Sequence, residues 1–506
     1  MREPNLWQAT CLVCVFCAVV AIGSPAQTFK TLVSFNGADG KFPNGILVQG
    51  RDGNYYGTTS FGGANCANYG VCGTVFKISS TGRLTTVYNF CAQTNCSDGA
   101  YPGAMILATN GSFYGTTSQG GVNNCNGYVG CGTVFKITSE AKLTTVYSFC
   151  AQSGCTDGYG PSGLIQATDG NLYGTTSAGG VSSRKCFGGC GTIFEITGEG
   201  KYITLHSFDF TDGSNPSSAM VEATNGKFYG LTSFGGSGRD CGTPSRCGTV
   251  FEITRTGGFR TLHSFCVQTG CPDGSLPYGL VQASNKNLYG AATEGGSNMC
   301  SFGCGTIFDI TPGGTLTILH SFDGADGSLP NAVIQATDGR FYGTTASGGA
   351  NSCGASGCGT VFEITPAGKL TTLYNLCSQP NCTDGESPIG LVQATNGNFY
   401  GTTDGGGDPN CNSPYGCGTV YSLSVGLGPF VKTNPTSDKV GKAVTVLGNN
   451  LTGSTSITFN GTPATFTVLS NTEIKTTVPT GATTGFVKVT TPTKTLKSNV
   501  VFRVSK

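Results

Sequence analysis

Three short motifs each return seven times along this 506-residue chain, and that recurrence limits its fold more than any other property. Tyr-Gly-Thr-Thr starts at Tyr56 and returns, with drift in the threonines, at Tyr114, Tyr173, Tyr229, Tyr289, Tyr342 and Tyr400. The intervals are 58, 59, 56, 60, 53 and 58 residues. Cys-Gly-Thr-Val/Ile-Phe/Tyr starts at Cys72, Cys131, Cys190, Cys247, Cys304, Cys358 and Cys417. Asp-Gly-x-x-Pro starts at Asp39, Asp98, Asp157, Asp212, Asp273, Asp326 and Asp384.

One unit reads as four strands. From Gly163, residues 164–167 form a short first strand and Asp169-Gly170 a tight turn, because both central positions of such a turn tolerate positive φ. Residues 172–176 form the second strand. A glycine-rich loop holding Cys186 leads to the third at 191–196, and a turn through Gly198 and Gly200 to the fourth at 202–208. β-branched and aromatic residues dominate each piece. Four-stranded units repeated seven times describe a β-propeller. The ends of the repeat region agree with a closed ring. Residues 29–35 match a fourth strand, and the region stops at 418–423, a third strand. The opening strand is therefore expected to complete the last blade.

Charged residues make up 11% of the chain, against roughly 25% in ordinary globular proteins. The 81 glycines suit many short strands and tight turns, and exclude a highly charged disordered chain. A net charge of +1 gives no nucleic-acid footprint. The first 26 residues read as a signal peptide: Arg2, an apolar run over 11–22, then Ser24-Pro25-Ala26, with the mature chain starting at Gln27. That apolar run is short for a membrane span, and the mature chain offers no other.

Cys11, Cys14 and Cys17 lie in that leader, leaving 22 of 25 cysteines in an exported chain, where disulfides are expected. The repeat suggests their pairing. Seven pairs precede or open the Cys-Gly-Thr segment: Cys66–Cys72, Cys125–Cys131, Cys186–Cys190, Cys241–Cys247, Cys300–Cys304, Cys353–Cys358 and Cys411–Cys417. Four more follow the fourth strand: Cys91–Cys96, Cys150–Cys155, Cys266–Cys271 and Cys377–Cys382. The other three units lack both members of this second pair and are four residues shorter there. Zinc is disfavoured, since the mature chain has no C-x-x-C.

Tyr-Gly-Thr-Thr, a Gly-Gly loop such as Gly62-Gly63, and Gly-Thr-Val-Phe together resemble the Gloeo/Verruco tandem repeat of exported bacterial proteins, over residues 28 to 424. The resemblance supplies no catalytic residues. The pattern stops at Gly426-Leu427-Gly428-Pro429. The remaining stretch has no cysteine and shows alternating runs such as Ala443-Val444-Thr445-Val446-Leu447, as a small β-sandwich would. Residues 444–451, Phe459-Asn460-Gly461 and 478–482 resemble an IPT/TIG immunoglobulin-like domain, which implies a spacer or binding module. The expected domains are a signal at 1–26, an all-β seven-bladed propeller at 27–426 and an Ig-like domain at 427–506. The last carries nine Lys/Arg against two Asp/Glu, so contact with an anionic surface is one expected role beside simple solubility.

Strand alternation puts the loops between second and third strands on the same face as the blade-to-blade connections. All eleven expected bridges share that face, and stapled, variable loops on a rigid scaffold are where binding usually lives. The seven motif aspartates read as turn residues rather than calcium ligands, since each unit offers a single carboxylate. His206, His263 and His320 share one repeat position with Tyr88, Tyr147 and Tyr374, on outermost strands too far apart to converge on a metal. Glu294 and Asp404 replace the usual Ser or Ala after the second strand and are the two ligand-site candidates. No catalytic, cofactor-binding or metal constellation is found.

The expectation is a secreted, cell-surface or periplasmic non-enzymatic binding, adhesion or surface structural protein. It would use the disulfide face to hold an extracellular glycan or protein. The alternative is an extracellular carbohydrate-active hydrolase or lyase, on fold analogy alone.

Overall fold

The computed structural model describes residues 27–66, 72–125, 130–181, 186, 188–238, 247–297, 299–353 and 357–505. The expected leader therefore lies outside the described residues. Seven antiparallel sheets of the repeat region form a seven-bladed propeller. Blade 3 is typical, with strands Tyr159–Gln166, Leu172–Ala178, Thr192–Ile196 and Tyr202–Ser207 in that spatial order. The other innermost strands are Val48–Gln49 in blade 1, Ala100–Leu107 in blade 2, Val221–Glu222 in blade 4 and Ser275–Gln282 in blade 5. Ile334–Gln335 serves blade 6 and Glu386–Gln393 blade 7. The first strand of blade 3 reaches further back than the sequence suggests. A bulge between Pro161 and Gly163 lets it run on past the proline.

Closure is explicit. Thr28–Ser34 lies antiparallel to Thr419–Ser424, with Thr28 opposite Ser424 and Ser34 opposite Thr419. Phe29 stacks on Tyr421 at 4.9 Å and on Tyr374 of blade 6 at 3.8 Å.

The three motifs recur because they meet inside every blade. The hydroxyls of Thr59 and Thr74 stand 2.9 Å apart, both fully buried, and the Thr74 hydroxyl reaches the Asp39 carbonyl at 3.1 Å. The same triad recurs as Thr232, Thr249 and Asp212, and as Thr345, Thr360 and Asp326. Each strand-two tyrosine is buried or nearly so and finds a partner in the turn four residues before it. Tyr56, Tyr173 and Tyr342 donate to Asp52, Asp169 and Asp338; Tyr114, Tyr229, Tyr289 and Tyr400 accept from Asn110, Asn225, Asn285 and Asn396. The phenylalanine of the Cys-Gly-Thr motif presses on the glycine beside that tyrosine, so a Cβ at Gly230 would lie 2.3 Å from the Phe251 ring. Burying such a ring contributes about 2–3 kcal/mol.

Two rings of hydrogen bonds join blade to blade. On the disulfide face, the residue before each motif proline is left-handed: Phe42, Tyr101, Gly160, Asn215, Leu276, Leu329 and Ser387. Each turns its N–H onto the carbonyl of the Cys-Gly-Thr cysteine of the preceding blade, from Tyr101 to Cys72 (2.8 Å) round to Phe42 to Cys417 (3.0 Å). A side chain in this region costs about 1 kcal/mol or more, offset here by a contact made at all seven seams. On the opposite face, which carries the tight turns, Gln166, Glu222, Gln282, Gln335, Gln393 and Gln49 accept from the turn N–H of the preceding blade. Leu107 holds this position at the seam of blades 1 and 2.

The C-terminal domain is Ig-like. One sheet holds Lys432–Asn434, Ala443–Leu447, Glu473–Thr477 and Phe466–Val468. The facing sheet holds Ser456–Phe459, Thr462–Ala464, Val487–Thr490 and Thr495–Lys497. Val444, Val446, Ile457, Phe459, Ile474, Val489 and Phe502 fill the core between them.

Candidate binding face

The Ig-like domain sits on the turn face. Phe430 N–H donates to Thr395 O at 3.0 Å and Asn449 Nδ2 to Thr395 Oγ1 at 2.6 Å, in blade 7. In blade 1, Thr472 donates to Arg51 O at 2.7 Å, and Glu473 pairs with the Arg51 guanidinium at 3.4 Å. Asn434 Nδ2 reaches the carbonyls of Leu107 and Ala108 in blade 2, both at 3.3 Å, where the glutamine staple is absent. Arg503 reaches Ala223 O in blade 4 at 3.4 Å. Blade 4 lies across the ring from the seam of blades 7 and 1, so these contacts straddle the central channel. Lys432 donates to Gln393 O at 2.6 Å, on the inner edge of blade 7, and burial pushes its ammonium down to about 8.

Among the described residues, nothing of the Ig-like domain covers the disulfide face. Ten bridges are formed there: Cys66–Cys72, Cys91–Cys96, Cys125–Cys131, Cys150–Cys155, Cys186–Cys190, Cys266–Cys271, Cys300–Cys304, Cys353–Cys358, Cys377–Cys382 and Cys411–Cys417. Cys247 is also bridged, while Cys241 lies outside the described residues. Bridges meet at seams, as where Cys353 Sγ lies 3.9 Å from Cys382 Sγ. The sulfur groupings there, Cys125 with Cys131 and Cys150 among them, are already bonded in pairs and offer no thiolate to a metal. Val122, Val181, Met299, Phe302 and Tyr415 stand exposed on the loops between second and third strands, and Val267 on a loop after a fourth strand. Elsewhere on the described propeller only Ile46 is a large apolar side chain so exposed.

The motif aspartates are fully used in turns. Asp98 accepts from the Tyr88 hydroxyl at 2.8 Å and from Ala92 N–H at 3.0 Å, and Asp157 and Asp384 repeat the arrangement. His206, His263 and His320 take the tyrosine role, each with Nε2 against its own unit's aspartate at 2.7, 2.9 and 2.7 Å. The three rings stay on separate blades.

Glu294 and Asp404 are not equivalent, contrary to the sequence reading. Sheet register sets Glu294 opposite Ser275, while in blade 7 Gly405 stands opposite Glu386. Asp404 is thus one position earlier than Glu294 and projects from the other side of its strand. At Asp404's position other blades carry a hydroxyl that donates to the carbonyl of the left-handed residue: Ser118 to Tyr101, Ser177 to Gly160, Thr293 to Leu276. An ionised carboxylate has no proton to donate there. Asp404 keeps water contact yet is ringed by protein, and desolvation raises its carboxyl above the usual range.

Its neighbour Glu386 escaped the sequence reading. Burial raises Glu386 first and the Asp404 charge raises it further. The two lie 18 residues apart in the chain and meet only through strand pairing; no spacing rule marks them. Tyr278, on the innermost strand of blade 5, was missed too. It is partly buried, and desolvation raises its hydroxyl. Glu294 ends the second strand of blade 5, at a cleft between blades 5 and 6 of about 620 Å³.

Comparison with known proteins adds the following. The Gloeobacter/Verrucomicrobia repeat model matches residues 18–184, 91–301 and 241–462, and the IPT/TIG domain model matches 430–504. No curated protein matches. Among solved structures, a fungal alcohol oxidase of the AA5 family, in complex with copper, is 10% identical over 95% of this chain and 99% of its own, with a TM-score of 0.53. A streptogramin B lyase is 14% identical over 79% of this chain and 97% of its own, with a TM-score of 0.49. PorZ, a surface component of the type-IX secretion system of Porphyromonas gingivalis, is 15% identical over 94% of this chain and 60% of its own, with a TM-score of 0.48. At such identities the likeness is one of fold.

Proposed function

Because this chain belongs to the Gloeobacter/Verrucomicrobia repeat family and ends in an IPT/TIG domain, we propose that it is an exported, non-enzymatic binding protein that holds an extracellular ligand on its disulfide face. One observation carries the reading: its own Ig-like domain occupies the turn face, while all but one of the exposed large apolar side chains of the described propeller stand on the other, two of them together on one blade 5 loop. Exposed apolar groups on soluble proteins mark contact surfaces when they cluster. Here they sit on loops fixed by short bridges, so little conformational freedom is lost on binding. The bridges also suit an oxidising compartment, and no described helix is long and apolar enough to cross a membrane. The lysine-rich Ig-like domain would add attraction to an anionic surface.

The test is a glycan array and a panel of chromogenic polysaccharides, probed with the chain from Gln27 onward. Binding without product supports the reading; product release overturns it in favour of a hydrolase or lyase. Glu386 and Asp404 give that second reading its footing. They are two carboxyls on neighbouring strands of blade 7, both held above the usual range. Turnover lost in Glu386→Gln would establish it.

A further inference from the structure

The two sheets of the Ig-like domain are used differently. Its contacts with the propeller come from the sheet of Lys432, Asn434 and Glu473, from the loops beside it and from Arg503. Among the described residues none comes from the strands of the second sheet, Ser456–Phe459, Thr462–Ala464, Val487–Thr490 and Thr495–Lys497.

Register sets an unusual pattern on the outer side of that second sheet. Ile457, Phe459, Val487, Val489 and Leu496 point into the core, so the residues between them point out. Thr458, Lys488 and Lys497 form one cross-strand row, and Ser456, Thr490 and Thr495 the next. Lys488 lies directly opposite Lys497, and both are exposed. Like charges so placed repel. The neighbouring row shows the uncharged alternative, Thr490 opposite Thr495 with their hydroxyls 3.4 Å apart. Residues 487–497 hold a third lysine, Lys494, and no acid. Of the domain's two acids, Glu473 is paired with Arg51 of the propeller, and Asp438 lies on Ser437–Lys439, outside this sheet. Among the described residues none of the three lysines forms an ion pair. Lys497 Nζ lies 3.6 Å from the centre of the Phe486 ring, and cation–π attraction holds it over the face.

A row of amines with no counter-charge, flanked by hydroxyls, calls for an anion that carries hydroxyls of its own. A polyuronate strand does so: each sugar ring brings a carboxylate for the amines and hydroxyls for Ser456, Thr458 and Thr495. A bilayer suits the face less. Val440, Leu469, Val500 and Val501, the exposed large apolar residues of this domain, all lie outside its four strands and give them nothing to insert. We propose that the outer side of this sheet binds a linear anionic polysaccharide, with Lys488, Lys494 and Lys497 taking its carboxylates. The proposal rests on the anionic-surface reading of this domain given above and is independent of the disulfide face.

The test is calorimetric titration of the chain from Gln27 onward, at low and at physiological salt, with polygalacturonate, its methyl ester and phosphatidylglycerol vesicles. The reactivity of each lysine towards acetylation is then read by mass spectrometry, with and without polygalacturonate. The expected result is binding of polygalacturonate but not of the uncharged ester, weakening as salt screens the charges. Lys488, Lys494 and Lys497 should be shielded, while Lys442 and Lys475, exposed elsewhere on the domain, should not. Lys488→Thr with Lys497→Thr should weaken binding about fivefold or more, the scale of losing two exposed ion pairs. Lys442→Thr with Lys475→Thr removes the same charge and should not. The acetylation pattern needs no variant, so it decides whether or not a substituted chain folds. Equal weakening by both double variants, or shielding spread over all of these lysines, overturns the face and leaves the anionic-surface reading standing. Tighter binding of vesicles than of polygalacturonate overturns the polysaccharide and also leaves that reading. Binding of the ester as tightly as the acid, no binding of either polyanion, or shielding confined to lysines of the propeller overturns both.

Discussion

Gln49 and Thr395, 346 positions apart, exchange two hydrogen bonds: Gln49 Nε2 donates to Thr395 Oγ1 at 2.9 Å, and Thr395 N–H donates to Gln49 Oε1 at 3.1 Å. Both residues are buried. They fasten the first blade to the last on the turn face, where Phe430 and Asn449 of the Ig-like domain also converge on Thr395. Gln49→Ala is expected to lower stability by about 1–3 kcal/mol, since it strands the buried Thr395 N–H. Denaturant unfolding read by intrinsic fluorescence checks the size; a loss under a few tenths would mean that the neighbours re-pair these groups.

Tyr421 holds the position that the other blades give to phenylalanine, and its hydroxyl is buried with no partner among the described residues. Tyr421→Phe is therefore expected to stabilise the closing blade by about 1 kcal/mol, the cost of a buried polar group left unpaired. Thermal unfolding of the two proteins side by side reads the sign directly.

Asp404 supplies a pH test. Its folded carboxyl is raised, so the folded state holds the proton more tightly than the unfolded chain does. Its contribution to stability is fully present below the ordinary aspartate value of about 3.9 and is lost as pH rises through the higher folded value. Asp404→Ser should then melt above the parent at pH 7 and alongside it near pH 3. An equal gain at both pH values would show that charge is not the cause.

Lys432 gives the complementary case. Burial holds its ammonium at about 8, well below an ordinary lysine at about 10.4. The unfolded chain binds the proton more tightly between those values, so stability rises with pH across that window. Lys432→Met should strengthen domain docking at pH 7, with the gain shrinking by pH 10. Hydrogen exchange at the turn residues 51–53 and 393–397 would follow it.

Much of the fold could be read from the chain because the repeat supplies seven samples of one solution. A Thr–Thr contact or a tyrosine latched to its turn leaves the same letters at the same intervals each time. The site was less legible for the opposite reason: its features occur once. Glu386 gains meaning only from Asp404 across a strand pair. Glu294 and Asp404 look alike in sequence, and only the register separates the two faces of their strands. The docking of the Ig-like domain was invisible, since Asn434, Lys432 and Arg503 bind main-chain carbonyls, which carry no sequence signature.

The joint between Thr28–Ser34 and Thr419–Ser424 also imposes an order of events. The leading strand leaves the ribosome long before its mate, so through most of the propeller's synthesis it is an orphan edge. A second molecule at the same stage offers an identical vacancy. Mutual exchange of leading strands between neighbours is thus the assembly error this topology invites, and a high local concentration of unfinished chains would favour it.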